Sequence, residues 1–544
     1  MTSPHFSSDN LDHLGIIAGI CHKIDLVTVV DEFVEDHDRE VSTGEALLAM
    51  VLNALGFLGR PLYLTPEFFN NKPLDRLIRP GLLPEQLNDD RLGRALDEIF
   101  EAGPTELFYM ISRAACEVFG LQTQAGHLDS TSISFEGRFV RGPDREQAVH
   151  LTHGYSKDER PDLKQLVVSL ICAYKSSIPL WFEALDGNSS DKSSFPDTVE
   201  GFLEQLDSSQ PFIIIADSAL YSRETVARLD EQIDFVTRVP ATLKAVKQFY
   251  EDADLTQMTP CEHDARYHYQ WHESDYGGVE QRWLLVHSAA ARESKQASLE
   301  GKRSSERERI AKQLRAHARE HFSCERDALA SLEKLASKWS WHQLTGSAQV
   351  TKHERYARPG RPAKDDEPEV SYTVETEVEE DAAAMEKALD KAGYFVLATN
   401  VLDKENLDAE QMLEDYKSQN NSVERGFRFL KDPKFFADGL YLQKESRITA
   451  MMMVMTVGLL MYSLAEHHLR QQLVEQDEYV PDQKGKPTQR ITIRRVFQMF
   501  EGITVLRIED GTSVSTQVLN MEDVHAQILR LLGSECQNIY ANPP

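Results

Sequence analysis

The chain has 544 residues, more than one ordinary hydrophobic core serves, so several domains are expected. Its 59 basic against 88 acidic residues leave a formal charge of −29, which argues against indiscriminate nucleic-acid binding because phosphates are repelled at long range, although local sign matters more than the sum. The six cysteines are scattered, with no CxxC pair and no Cys/His cluster at zinc spacing, and MTSPHFSSDN lacks a signal-peptide layout, so a reduced cytoplasmic protein without structural zinc is expected.

Residues 1–120 read as helices throughout: IDLVTVVDEFV, a helix initiated at Thr43 in TGEALLAMVLNALGF, and one long periodic run from Asp90 to Phe119. They are expected to form a helical N-terminal domain, either a DNA-binding head or a packing module.

From Leu121 the texture becomes that of strands. In GHLDSTSISF the residues His127, Asp129, Thr131, Ile133 and Phe135 alternate onto one side. An acid in such a strand is costly unless its charge is satisfied, so Asp129 calls for a cation. The segments KQLVVSLICAY and IPLWFEALDGN give two further strands, and short connections suggest an antiparallel meander. A helix over 198–206 is followed by the apolar run Phe212–Ala216, of the kind buried on both faces, which stops at Asp217. Open α/β sheets place ligands at the carboxyl ends of such strands, although an aspartate there also serves as a turn cap. Ser222 is the expected N-cap of the helix that follows.

Residues 241–392 read as an insertion, with alternating segments, a highly charged helical pair from about Ala291 to Lys338, and a strand in EVSYTVETEVEE. It contains RYARPGRPAK, where Arg358, Arg361 and Lys364 recur every three residues while Pro359, Gly360 and Pro362 forbid a helix. An extended basic strip of this kind suits a narrow minor groove, and a solubilising linker is the plainer use. The sheet texture resumes over 394–399 in a second core segment, 393–475.

Within that segment, YKSQNNSVERGFRFLK from Tyr416 to Lys431 reads as an amphipathic helix. Val423, Phe427 and Leu430 share an apolar face, with Tyr416 on the same line. Glu424 borders the stripe, Arg428 and Lys431 follow one and two turns on, and Arg425 points the other way. The uncharged stretch from Ile448 to Ala465 meets the minimum length for a membrane span, but its place late in an acidic chain and its Met-rich surface suit a buried helix instead, so no membrane is expected. The C-terminal region, 476–544, carries a basic cluster of Lys484, Lys486, Arg490, Arg494 and Arg495, expected to bind DNA or a second protomer.

Acids on the first strand, after the fourth strand and on a later helix amount to a ribonuclease-H-like core of the α/β class carrying a large α+β insertion. Three carboxylates without Cys or His favour Mg²⁺ or Mn²⁺, and a metal pair suits in-line phosphoryl transfer. The blocks HLDSTSISF, HGYSKDERPDLKQL, IIADSALYS, FVTRVP and YKSQNNSVERGFRFLKDPKFF resemble those of the DDE transposases of bacterial insertion sequences, in the group with an insertion between the second Asp and the Glu. The resemblance covers about residues 121–475. It implies that Asp129, Asp217 and Glu424 are the catalytic, metal-binding acids, and that Tyr416, Glu424 and Lys431 match the Tyr, Glu and Lys of a Tyr-Arg-Glu-Lys signature. The signature's Arg position is Gln419 here and the Tyr416 to Glu424 spacing is one residue longer, which leaves Arg425 or Arg428 to grip phosphate. The implied activity is cut-and-paste transposition, with two metal ions per site, on terminal inverted repeats and target DNA, by a homodimer on paired ends in a bacterial or archaeal cytoplasm. A structure-specific nuclease of the same fold and a catalytically silent DNA-binding descendant are the rival readings.

Overall fold

The computed structural model describes residues 5–542 except 35–38, 57–60, 122–123, 138, 140–148, 207–210, 231, 356–367, 391, 433–441 and 511–512. Contacts divide the chain into two units: one of residues 1–238, 274–281 and 399–544, the other of residues 239–273 and 282–398.

The first unit holds a mixed sheet whose strands are β1 (Ala125–Phe135), β2 (Lys164–Ala173), β3 (Pro179–Leu185), β4 (Ile213–Ala216) and β5 (Asp234–Arg238). Their order is β3-β2-β1-β4-β5. The meander β1-β2-β3 is antiparallel, while β4 lies parallel to β1 and β5 parallel to β4. As expected, Ser222 caps the helix after β4 by accepting from the Thr225 amide.

The uncharged stretch lies in a helix, Glu445–Glu475, that is the core of this unit. It packs against the helices Leu14–Lys23, Thr43–Leu55, Asp89–Ala102 and Pro104–Phe119 and against Asp523–Leu532. Its most apolar window is long enough for a membrane span but is 94% buried inside the protein, so its hydrophobicity is accounted for by packing.

Three local expectations are corrected. The run from Asp90 to Phe119 is two helices, because Gly103 takes a positive φ of 96° and Pro104 starts a new helix where its missing amide costs nothing. The N-terminal segment is not helical throughout: His5–Asn10 is a strand paired antiparallel with Thr504–Asp510, and Gly15 and Gly19 admit Ile539, Cys536 and Tyr540 of the last helix too closely for any side chain. The stretch from Tyr416 to Lys431 is no single helix either. It runs as Ala409–Lys417, a 3-10 turn Ser418–Asn421 and Val423–Leu430, broken at Ser422 with ψ near −101°.

The second unit holds the neighbouring strands Tyr394–Thr399, Gln281–Ser288, Tyr267–Ser274 and Thr259–Pro260, and a long hairpin of His342–Arg355 with Glu369–Glu380. The charged pair appears as helices Ala289–His317 and Glu325–Ala336, with Ala328, Leu332 and Val374 in a small core against the hairpin. Arg358, Arg361 and Lys364 fall in 356–367 and lie outside the described residues.

Candidate functional site

Strand register alone brings two of the three acids together. Leu128 on β1 is paired with Ala216 on β4, so the next residues along these parallel strands, Asp129 and Asp217, stand side by side. Ala216 is paired in turn with Thr237 on β5, which sets Arg238 next in line, and the Thr237 hydroxyl donates to the Asp217 carbonyl at 2.7 Å. The Asp217 carboxylate also accepts from the Ala219 amide at 2.7 Å, so the turn-capping role holds alongside any other.

The cation that Asp129 calls for is Lys157, in the connection between β1 and β2. Its ammonium lies 3.7 Å from Asp129 Oδ1 and 3.2 Å from Asp191 Oδ2, and donates to the Ser130 carbonyl at 2.6 Å. The Ser130 hydroxyl donates to Asp191 from the other face of β1. Burial pushes the Asp129 carboxyl, whose side chain is 21% exposed, up to about 6. Lys157 and the Ser130 amide pull against that rise, and the negative charges of Asp217 and Asp191 add to it. An acid held in this balance is common where carboxylates do chemistry, and also occurs in structural networks.

Tyr416 is half-buried beside this pair. Burial raises its hydroxyl's pKa, Arg238 opposes the rise, and the charges of Asp217 and Asp129 are near enough to add to it. His127, on the same face of β1 as Asp129, has Nε2 2.9 Å from the Asp415 carbonyl and 3.2 Å from the Ser418 hydroxyl, which fixes the turn between the two helices.

The Val423–Leu430 helix packs on β1 and β2. A side chain at Gly426 would meet Leu459 at 3.1 Å and Leu170 at 3.9 Å, and Leu170 is the cross-strand partner of Asp129. Val423, Phe427 and Leu430 form the buried face as expected, and Glu424 and Arg428 are exposed. Lys431 pairs with Asp158 at 2.6 Å, which ties the helix end to the connection that carries Lys157. Arg425 points away, as expected, into a two-pronged ion pair with the buried Glu466 of the core helix. Lys484, Lys486 and Arg490 are exposed around the short hairpin Val480–Pro481 with Pro487–Thr488, while Arg494 and Arg495 are half-buried in the helix Ile493–Met499.

Among the described residues no three of His, Cys, Asp and Glu stand close enough to hold a metal ion together. The structure joins Asp129 to Asp217 and seats the helix of Glu424 on their sheet. Lys157, Asp191 and Arg238 were not singled out in the sequence. The signals for Lys157 were the unmet charge of Asp129 and its place in the block HGYSKDERPDLKQL.

Among protein families, the model described as "Transposase DDE domain" matches residues 121–463, and one described as "Domain of unknown function" matches residues 6–113. No curated protein matches the chain. Among solved structures, a cryo-EM structure titled as a piggyBac transposase synaptic complex with hairpin DNA aligns over 92% of this chain and 83% of that one, at 8% identity and a TM-score of 0.35.

Proposed function

Since the chain belongs to the DDE transposase domain family, we propose that it cuts the ends of a transposon and joins them to target DNA by metal-dependent phosphoryl transfer, with Asp129, Asp217 and Glu424 as its catalytic acids. The observation that carries this is the register that sets Asp129 beside Asp217 at the carboxyl ends of parallel β1 and β4. The strand order β3-β2-β1-β4-β5, with an antiparallel meander followed by two parallel strands, supports a ribonuclease-H-like core.

The donor set fits Mg²⁺ or Mn²⁺ in kind, being all carboxylate oxygen, and Asp129 is a half-buried acid whose Lys157 partner is 3.7 Å away and shared with Asp191. Two ions bound there would supply charge neutralisation and activation of the attacking and leaving oxygens during in-line transfer. Asp129 and Asp217 are the fixed part of the set, anchored by strand pairing. Glu424, exposed on the first turn of its short helix, completes it when DNA and metal are present. Tyr416 and Arg238 flank the acids, and Arg428 and Lys431 grip the phosphates next to the cut. The active form is a homodimer on paired ends, with the charged helices of the second unit as protomer contacts.

The test is a cleavage and strand-transfer assay on the DNA flanking the open reading frame. Asp129→Ala, Asp217→Ala and Glu424→Ala each abolish cleavage while end binding survives. Cleavage by the unaltered protein with no joining to a second duplex would leave a nuclease instead.

A further inference from the structure

In the first unit, away from the paired aspartates, a cavity of about 500 Å³ opens between the turn after β2, the Val423–Leu430 helix, the C-terminal half of the core helix and the basic tail. Its lining includes Lys175, Arg425, His467, Arg470 and Arg490, with Glu466 as the one lining carboxylate.

That carboxylate is fully committed. The Glu466 side chain is 4% exposed, takes the fork of Arg425 at 2.6 and 2.7 Å, pairs with Arg470 at 2.9 Å and accepts from the Ile493 amide at 3.0 Å. Burial pushes the Arg470 guanidinium's pKa down, Glu466 resists, and the neighbouring charges of Arg425 and Arg490 push it down again. Burial and Arg470 together also lower His467. Lys175 is paired with Glu414 at 2.8 Å outside the lining, and among the described residues the exposed Arg490 guanidinium has no acidic partner. The lining therefore holds four permanent cations against one carboxylate, in a chain whose net charge is −29. Arg425 and Arg470 already face Glu466, and Arg470 also donates to the Ile491 carbonyl, so the planar fork offered to phosphate oxygens is that of Arg490, with the crowded positive charge of the others behind it. The volume is that of an ordinary ligand site and admits a backbone phosphate with its sugar.

We propose that this cavity binds a phosphodiester of duplex DNA and is a backbone docking point separate from the acid site. The assignment rests on the transposase reading and names where that reading's substrate is held. It also gives the Val423–Leu430 helix two connected duties, since Arg425 on its cavity side is the immediate neighbour of Glu424 on its exposed side.

The experiment uses the full-length chain and a fluorescein-labelled duplex carrying the DNA end that flanks the open reading frame, with anisotropy followed across a salt series. Arg490→Ala, an exposed change that spares the Glu466 pairs, weakens binding and makes the slope of log affinity against log salt shallower, and Arg490→Ala with Lys175→Ala weakens binding further and removes about one from that slope in all, the value of a single phosphate. Thermal midpoints within error of the unaltered protein keep folding out of the comparison. Slopes that do not change overturn the assignment. Inorganic phosphate and ATP are titrated in parallel by calorimetry: binding of either that is lost in the double variant while the DNA slope stays constant assigns the cavity to a small anion and also overturns the proposal. An unaltered protein that binds no duplex at all overturns both this assignment and the reading beneath it, whereas unchanged variant slopes overturn this one alone.

Discussion

Asp129 in the first unit and Glu306 in the second are both acids withdrawn from water, and their surroundings differ in kind. Glu306, 6% exposed, accepts from the amides of Ser340 at 3.1 Å and Trp341 at 2.8 Å, and pairs with His342 at 3.1 Å and Arg309 at 2.9 Å. Burial raises its pKa, and the bonds to His342 and the two amides outweigh that and leave it lowered. Asp129 accepts one amide, from Ser130, shares a single Lys157 with Asp191, and stands beside another carboxylate, so burial prevails. Glu306 is an acid the fold has satisfied in order to fasten a helix to the start of a hairpin. Asp129 is one it keeps under-satisfied, which is the expected state of a carboxylate waiting for a stronger cation.

This contrast can be broken by opposite outcomes of removing each charge. Glu306→Ala leaves His342 and two amides without their acceptor, so it is expected to lose about 2–4 kcal/mol of stability in denaturant titrations. The pH dependence follows from the sign. Because the folded pKa of Glu306 is depressed below 4.5, its contribution is present above that value and is lost as pH falls through the lower folded value. Unfolding of the unaltered protein should steepen there and that of the variant should not.

Asp129→Asn is expected to do the reverse. Its folded pKa of about 6 lies above the ordinary 3.8, so the ionised form costs stability as pH rises through that window, fully so above 6. The variant should gain about 1–3 kcal/mol at pH 8, and the gain should vanish below pH 3.8. Loss of stability at pH 8 would place Asp129 with Glu306 as a structural acid.

Part of this was legible in the sequence and part was not, for physical reasons. The period-two alternation of GHLDSTSISF declared Asp129 an acid inside a strand, and hence in need of a cation. It did not say which one, because Lys157 comes from a connection without periodicity and is set by its own bonds to Ser130, Ser132 and Asp191. The buried face of Val423, Phe427 and Leu430 was visible in the 3.6-residue period. The break at Ser422 was not, since extending that period back to Tyr416 crosses a 3-10 turn that His127 secures from another strand. Gly103 before Pro104 was a local signal that a long run ends, and the apolar periodicity on both sides masked it. The strand His5–Asn10 has its partner almost 500 residues away at Thr504–Asp510, and no local pattern reports such a pairing.

Two smaller effects sharpen the comparison. Lys157→Met removes the balancing charge from Asp129 and should cost about 1 kcal/mol at pH 8, with Mg²⁺ restoring more stability to the variant than to the unaltered protein. No response to Mg²⁺ in either would deny that a divalent ion takes that place. Lys431→Ala breaks a part-exposed pair with Asp158, expected to contribute about 0–1 kcal/mol. Its larger consequence should be a weaker, less salt-dependent complex with end DNA; unchanged affinity and slope would confine Lys431 to that pair.

The central claim, that an exposed acid on a short helix completes a metal site begun by two strand-borne acids, is tested most directly by Glu424→Gln in a Mg²⁺-dependent cleavage assay on the DNA ends flanking the open reading frame. The account predicts that the variant folds and binds those ends with unaltered affinity and leaves them uncut. Cleavage at the rate of the unaltered protein would contradict it.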